Sequence, residues 1–132
     1  QRVLDRQCAR VKKRGKVARS KDEGDLHRLR IAVKKLRYSA EFLAPLYSRR
    51  KVRKYLGKLR ALQNHLGQLN DIANVRATVG ALLQGHGKKA PAPETSFAAG
   101  AVMGWFGAQT PHAVRHALSR YRKFRRIKPF WH

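Results

Sequence analysis

Four side chains that can carry positive charge recur at helical spacing within the segment LHRLRIAVKKLRY: His27, Arg30, Lys34 and Arg37. At about 100° per residue they fall in one arc of a helix and extend along about 15 Å of its axis. Guanidinium groups bind phosphate oxygens in a forked geometry, an ammonium group adds a mobile point charge, and a protonated imidazole donates from both nitrogens. The pattern therefore predicts a site for an extended anion. An ordinary solvated helix face is the alternative that periodicity alone leaves open.

The helix that positions these cations also carries an apolar arc, which predicts the face that it buries. That arc contains Leu29, Val33, Leu36, Ala40 and Leu43. The basic arc lies between this face and a second pair of apolar residues, Ile31 and Phe42. A basic row flanked by apolar residues on both sides is expected to line a groove.

Three further basic rows adjoin apolar helix faces. They are Arg10 and Arg14 in the first helical segment, Lys51, Lys54 and Lys58 in the third, and Arg115, Arg122 and Arg126 in the fourth. Each row taken singly is typical of a plain charged surface. Because packing the helices brings their flanks together, we expect the rows to converge on one anion-binding groove.

The overall charge of the chain restricts its partners. Lys and Arg total 31 against 7 Asp and Glu, which gives a formal charge of +24 over 132 residues. Such a charge is costly in a compact fold unless a polyanion offsets it, so nucleic acid, polyphosphate or an anionic membrane surface fits. The single cysteine, Cys8, excludes an internal disulfide and favours a reducing cytoplasm. No apolar run approaches the roughly 20 residues that span a bilayer.

Signals for catalysis are weak. The carboxylates are scattered along the chain, whereas a magnesium-dependent phosphoryl transferase needs clustered acids to hold its metal. His112 and His116 form an i,i+4 pair with no Glu or Cys companion, so a zinc site is not expected. No glycine-rich phosphate-binding motif is present. We therefore expect a protein that is not an enzyme and that needs no cofactor or metal.

The hydrophobic periodicity predicts four helical segments and no strand. The first segment covers about 3–18, and the second runs from Asp22 or Asp25 to about 47. The third follows a basic break at 48–51 and ends near 83. The fourth covers about 94–127. Ser20 to Glu23 resembles a capping box, and the loop 85–93 is expected to be flexible. Thr110-Pro111 predicts that the last helix is kinked or split. The expected architecture is an all-α, antiparallel four-helix bundle that forms a single helical domain over 1–132.

The segment LHRLRIAVKKLRY resembles the signature of the CHAD family, the conserved-histidine α-helical domains. LRALQNHLGQLNDI, which begins at Leu59, resembles that family's second recurring segment, and FRRIKPFW resembles its usual close. By this match His27 is the family histidine, and Arg30, Lys34 and Arg37 are its basic followers. The correspondence of the Lys51, Lys54 and Lys58 row is looser, and that of the Arg115, Arg122 and Arg126 row is looser still.

The resemblance implies a pseudo-two-fold pair of four-helix bundles whose basic inner surface binds inorganic polyphosphate. Members of the family accompany triphosphate tunnel enzymes or associate with polyphosphate granules. A full domain carries the helical repeat in two copies, whereas this chain has one His-bearing segment. It also has no initiator Met. We therefore expect the C-terminal half of a domain, which pairs with an N-terminal half or with a second copy.

The resulting functional hypothesis is non-catalytic polyphosphate binding, for scaffolding, for targeting to granules in the cytoplasm, or for presenting polyphosphate to a processing enzyme. The alternative is a nucleic-acid-binding protein, because the same charges would hold a phosphate backbone. The basic rows contain few aromatic residues for stacking on single strands, and no base-reading cluster is evident.

Overall fold

Helices account for the regular structure in the computed structural model, which describes residues 1–84 and 90–132. Within these ranges there are four α-helices and no strand. The helices are α1 (Arg2–Val17), α2 (Glu23–Leu43), α3 (Arg49–Gln84) and α4 (Pro93–Phe124). The predicted all-α class is confirmed. Most of the predicted loop 85–93 lies outside the described residues; within it, residues 90–92 lead into α4.

The turn between α1 and α2 contains a short 3₁₀ helix, Ala18–Ser20, and a left-handed residue, Lys21 (φ 63°). Asp22 caps α2, because its carboxylate accepts a hydrogen bond from the backbone N–H of Asp25 at 3.0 Å. The predicted capping box with Ser20 as the cap is wrong: Ser20 instead accepts from the Asp22 backbone N–H and donates to the Asp25 carboxylate.

Two prolines change the expected helix ends in different ways. Helix α2 stops at Leu43 and continues as a 3₁₀ turn, Ala44–Leu46, one turn earlier than predicted, because Pro45 cannot donate to a helical carbonyl. Helix α4 is unbroken through Pro111, so the predicted split is wrong. A proline removes one intrahelical hydrogen bond, and the packing of α4 along α3 keeps the helix continuous across that loss.

The core lies where the apolar faces of all four helices meet. Its fully buried side chains include Leu4 on α1, Leu29 and Leu36 on α2, Leu59 and Leu62 on α3, and Tyr121 on α4. The chain after α4 closes one end of this core, since Phe130 and Trp131 pack edge-on against Tyr55 with ring centroids 5.5 and 5.1 Å away. The Trp131 indole also donates to Asp5 on α1 at 2.8 Å.

A glycine sets the distance between α1 and α4. A Cβ atom at Gly15 would lie 2.1 Å from the Tyr121 ring, so the close approach requires a residue without a side chain. The Tyr121 hydroxyl then donates to the backbone carbonyl of Lys12 at 3.0 Å. This hydrogen bond and the close approach at Gly15 join the first and last helices.

Candidate functional site

The basic edge of α2 lies against α3. Two contacts between these helices mark its ends: His27 meets Asn70 at 3.2 Å, and Arg60 donates to Glu41 at 2.9 Å. His27 and Glu41 are 14 residues apart, and the intervening cations continue the same three-and-four spacing. The edge therefore runs beside α3 for about 21 Å.

These contacts fix an antiparallel register between α2 and α3, in which Gly67 and Gln63 lie across from Arg30 and Lys34. At Gly67 an added Cβ would have nothing within 4 Å, so that wall is open. We call the surface along this helix pair the α2–α3 groove. It comprises His27, Arg30, Lys34 and Arg37 on α2, and Arg60, Gln63, Gly67 and Asn70 on α3.

His27 is oriented by its hydrogen bond to Asn70. The amide oxygen of Asn70 can only accept, so Nδ1 of His27 carries the proton. Nε2 is then the nitrogen available to a ligand, and it becomes a donor when the ring is protonated.

At the other end of the groove, Glu41 accepts from Arg37 at 3.1 Å and from Arg60 at 2.9 Å. The Arg37 guanidinium also lies over the Tyr38 ring, 4.6 Å from its centroid. The Arg37 side chain is 20% exposed and is held by Glu41, whereas Lys34 is exposed and has no ion pair among the described residues. The carboxylate leaves two guanidiniums with a net charge of one and fixes their positions.

A cavity of about 640 Å³ opens at the His27 end of the groove, where α2, α3 and α4 meet. His27 and Asn70 form part of its wall, Leu66 and Leu69 supply apolar surface, and Arg76 adds a further cation. Arg76 is within 3.9 Å of Glu23 across the mouth of this cavity. The groove therefore ends in a recess that is part apolar and part cationic.

The Lys51 and Lys54 row lies elsewhere on α3. Lys54 and Arg60 are six residues apart, which is about 240° around the helix. Lys51 and Lys54 line a separate depression of about 440 Å³ with Arg126 and Lys128, and it shares no residue with the first cavity. Lys58 is exposed one turn further along α3. The structure thus brings Arg126 to the lysine row, away from the α2–α3 groove.

The remaining predicted cations are dispersed. Arg10 and Arg14 are exposed on α1. The pKa of Asp25, at the start of α2, is lowered mainly by its hydrogen bond with Arg28 and to a smaller extent by the charge of Arg14. On α4, Arg115 lies beside His112 at 3.4 Å, and Arg122 is exposed. Whether an anion contacts any of these residues stays a prediction.

Sequence reasoning missed two parts of the groove, Arg60 and Gly67. Neither stands out in the sequence, since Arg60 is one of 31 basic residues and Gly67 lies in a helix. The i,i+3,i+7,i+10 series Arg60, Gln63, Gly67 and Asn70 is the signal that could have marked one face of α3.

The arrangement is suited to holding an extended anion by charge-assisted hydrogen bonds. Across residues 1–84 and 90–132, no three His, Cys, Asp or Glu side chains are grouped as ligands for a metal ion. The helices in those ranges include none that is both long and apolar enough to cross a bilayer.

The fold is that of an all-α protein in which a row of basic residues on α2 runs beside α3. The family profile of the CHAD domain matches residues 1–80, which contain α1, α2 and most of α3. The chain belongs to the CHAD family. No catalytic domain was found beside it, and comparison with curated proteins and with solved structures gave no match. The assignment to the C-terminal half of the domain stays a prediction.

Proposed function

We propose that the chain binds inorganic polyphosphate without catalysis, and that the α2–α3 groove is its principal binding surface. CHAD domains are linked to polyphosphate binding, and this chain belongs to that family. The observation that carries the proposal is the position of the His27–Arg37 row between two contacts with α3. A solvated helix face would lack such a wall. Successive phosphates would contact His27, Arg30 and Lys34 along the groove.

The electrostatics of the chain support a partner of high charge density. With a formal charge of +24, binding releases counterions from the polyanion, so affinity falls steeply as salt rises. Held groups such as Arg37 and Arg60 lose less freedom on binding than unrestrained side chains do. The groove would therefore respond to the spacing of phosphates in addition to their total charge.

The cellular roles that fit such a module are scaffolding, targeting to polyphosphate granules in the cytoplasm, and presenting polyphosphate to a polyphosphate- or triphosphate-processing enzyme. A missing N-terminal half or a second copy of the chain would extend the binding surface. These roles rest on the family assignment, because a binding module carries out no reaction by itself.

Nucleic-acid binding is the second candidate, and one observation favours it. Tyr38 and Phe42 are 51% and 84% exposed on α2 beside the basic row, where a base could stack on either ring. Tyr38 is already covered on one face by the Arg37 guanidinium. Polyphosphate has no bases, so Phe42→Ala should weaken RNA binding and leave polyphosphate binding unchanged; Tyr38 is kept in this variant because its ring contacts Arg37.

The direct test removes the α2 row and compares it with a charge-matched control. His27→Ala, Arg30→Ala, Lys34→Ala and Arg37→Ala together form the groove variant. The control combines Lys12→Ala and Lys16→Ala on α1 with Arg19→Ala in the 3₁₀ helix that follows it, and all three side chains are exposed. Each removes three formal charges. Long-chain polyphosphate is titrated at near-physiological salt, with circular dichroism to check helicity.

We expect the groove variant to lose about 100-fold or more in affinity, since a charge-assisted hydrogen bond contributes about 1.5–3 kcal/mol. The control should lose about threefold or less, because its charges act only through screened, long-range attraction. Equal losses in the two variants would show that generic attraction suffices and that the groove is not the site.

A further inference from the structure

A second group of cations lies at the contact between α3 and α4, outside the α2–α3 groove. Its imidazoles are close together: the His65 and His116 ring centroids are 5.8 Å apart, and those of His112 and His116 are 4.4 Å apart. Two guanidiniums, from Arg115 and Arg120, contact these rings. We call these five residues the imidazole cluster. His65 and His116 are 51 positions apart in the sequence. They meet here because α3 and α4 pack antiparallel.

The hydrogen bonds of the cluster fix the state of His65. The Arg120 Nε–H can only donate, so Nε2 of His65, at 3.1 Å, must accept. Nδ1 of His65 faces the amide oxygen of Gln68 at 3.3 Å and therefore donates. The ring is thus neutral, with its proton on Nδ1. Protonation of Nε2 would break its bond with Arg120.

The second guanidinium is held in a similar way. Arg115 Nη2 lies 3.4 Å from Nδ1 of His112, and a guanidinium has no lone pair to offer, so this nitrogen also accepts. His112 is therefore unprotonated at Nδ1. Each of the two guanidiniums thus donates a hydrogen bond to a neutral imidazole, whereas the usual partner of a guanidinium is a carboxylate.

No carboxylate compensates the cluster. The ion pairs among residues 1–84 and 90–132 involve Asp5, Glu23, Asp25 and Glu41, and none of them involves Arg115 or Arg120. The pKa of His116 is lowered most by the repulsion that it would meet from His112 if both rings were protonated, and further by burial and by the proximity of His65, Arg120 and Arg115. Each of these groups opposes the protonation of His116. An anion bound among these side chains would instead favour the protonated form of the rings.

We propose that the imidazole cluster is a proton-linked binding site for a phosphate-like oxyanion. Protonation of His65 and His112 releases Arg120 and Arg115 from their imidazole acceptors, and the rings themselves become donors. A bound dianion then receives hydrogen bonds from both guanidiniums and from the protonated rings. His112, His116 and Arg115 are exposed, so the site is open to solution.

The direction of the pH effect follows from this linkage. An anion favours the protonated rings, so binding strengthens as the pH falls through the range in which histidine titrates and levels off once the rings are protonated in the free protein. The site is separate from the proposed polyphosphate groove and does not depend on it. On a long polyanion it would add contacts at mildly acidic pH.

The test uses sulfate, because it stays a dianion throughout the range in which histidine titrates. Histidine ring signals are followed by NMR in the full chain that carries the groove variant, with and without sulfate at constant ionic strength. We expect sulfate to raise the pKa values of His65, His112 and His116 by about half a unit or more while leaving His132 unchanged. An equal change at every histidine, or none, would overturn the proposal.

Affinity measurements provide the second readout. In the same background, sulfate should bind about threefold or more tightly at about pH 5.5 than at about pH 7.5. Replacing all three rings, His65→Gln with His112→Gln and His116→Gln, should abolish this difference, whereas His132→Gln, which removes a histidine beside Asp5, should preserve it. Loss of the pH dependence in both variants, or in neither, would contradict the assignment. Because the groove is already disabled, failure here leaves the polyphosphate proposal standing.

Discussion

The two ends of the α3–α4 hairpin differ sharply in charge and packing. Where the pair packs against α1 and α2, basic side chains surround a core that includes Tyr55 and Tyr121. The distal end consists of residues 77–84 and 93–110. Among these residues Glu94 is the only one with a charged side chain. There Leu82, Phe97 and Trp105 are 58%, 81% and 61% exposed. We call the first region the body and the second the distal hairpin.

Comparing the two regions shows which features the helical fold requires and which additional features anion binding requires. The body is where helices meet closely enough for Glu41 and Asn70 to hold cations across a helix pair. The described residues of the distal hairpin, 77–84 and 93–110, have the same helical backbone but include no Lys or Arg. Its glycines have open surroundings, in contrast to Gly15 in the body. An abundance of basic side chains does not by itself form the groove. The groove also requires that contacts with a neighbouring helix hold those side chains in position.

The largest effect on stability is expected at Gly15. In an ordinary helix interior, Gly→Ala stabilises by about 0.5–1 kcal/mol. Here the new Cβ would lie 2.1 Å from the buried Tyr121 ring, so the ring or the two helices must shift. We expect Gly15→Ala to lower the free energy of unfolding by about 1–3 kcal/mol. Chemical denaturation followed by circular dichroism measures this, and a stabilised variant would show that the two helices are not so closely packed.

The opposite sign is expected at Gly104 in the distal hairpin. An added Cβ there has nothing within 4 Å, so only the backbone entropy of glycine changes. Gly104→Ala should raise the free energy of unfolding by up to about 1 kcal/mol. The same denaturation experiment provides the measurement. If this substitution destabilised as much as Gly15→Ala, the contrast between body and distal hairpin would be lost.

The smallest effect on ligand binding is expected from the apolar residues of the distal hairpin. Phe97→Ser with Trp105→Ser changes no charge, and both side chains are largely exposed. Affinity for long-chain polyphosphate should stay within about twofold of the unsubstituted chain, because the phosphate contacts that set affinity are elsewhere. Fluorescence-detected titration tests this. A loss of affinity comparable to that of the groove variant would show that polyphosphate binds the distal hairpin, which would contradict the account.

The sequence predicted the helices well because their apolar positions recur at the helical period. Leu29, Val33 and Leu36 are buried as that period requires. Errors arose where one residue's local chemistry competed with its surroundings. Pro45 ended α2 early, whereas Pro111 was accommodated within α4 because the helix packs along α3.

The site was only partly accessible to sequence reasoning. One helix determines that His27, Arg30 and Lys34 share an edge, so that row could be predicted. The wall opposite depends on the register between α2 and α3, which periodicity within a single helix does not contain. For the same reason the His112–His116 pair could be noticed but its neighbour His65 could not. The position of Arg126 beside Lys51 and Lys54 likewise depends on the packing of the C-terminal part of the chain against α3.

The most direct test of the central claim is a competition titration at near-physiological salt. Labelled long-chain polyphosphate bound to the chain is challenged with DNA, RNA or short phosphates at matched phosphate concentration, and light scattering excludes precipitation. If the α2–α3 groove selects a dense polyanion without bases, polyphosphate remains bound against excess nucleic acid, and the groove variant loses this preference. Equal displacement by DNA or RNA would contradict the account, because the charge of +24 alone would then explain binding.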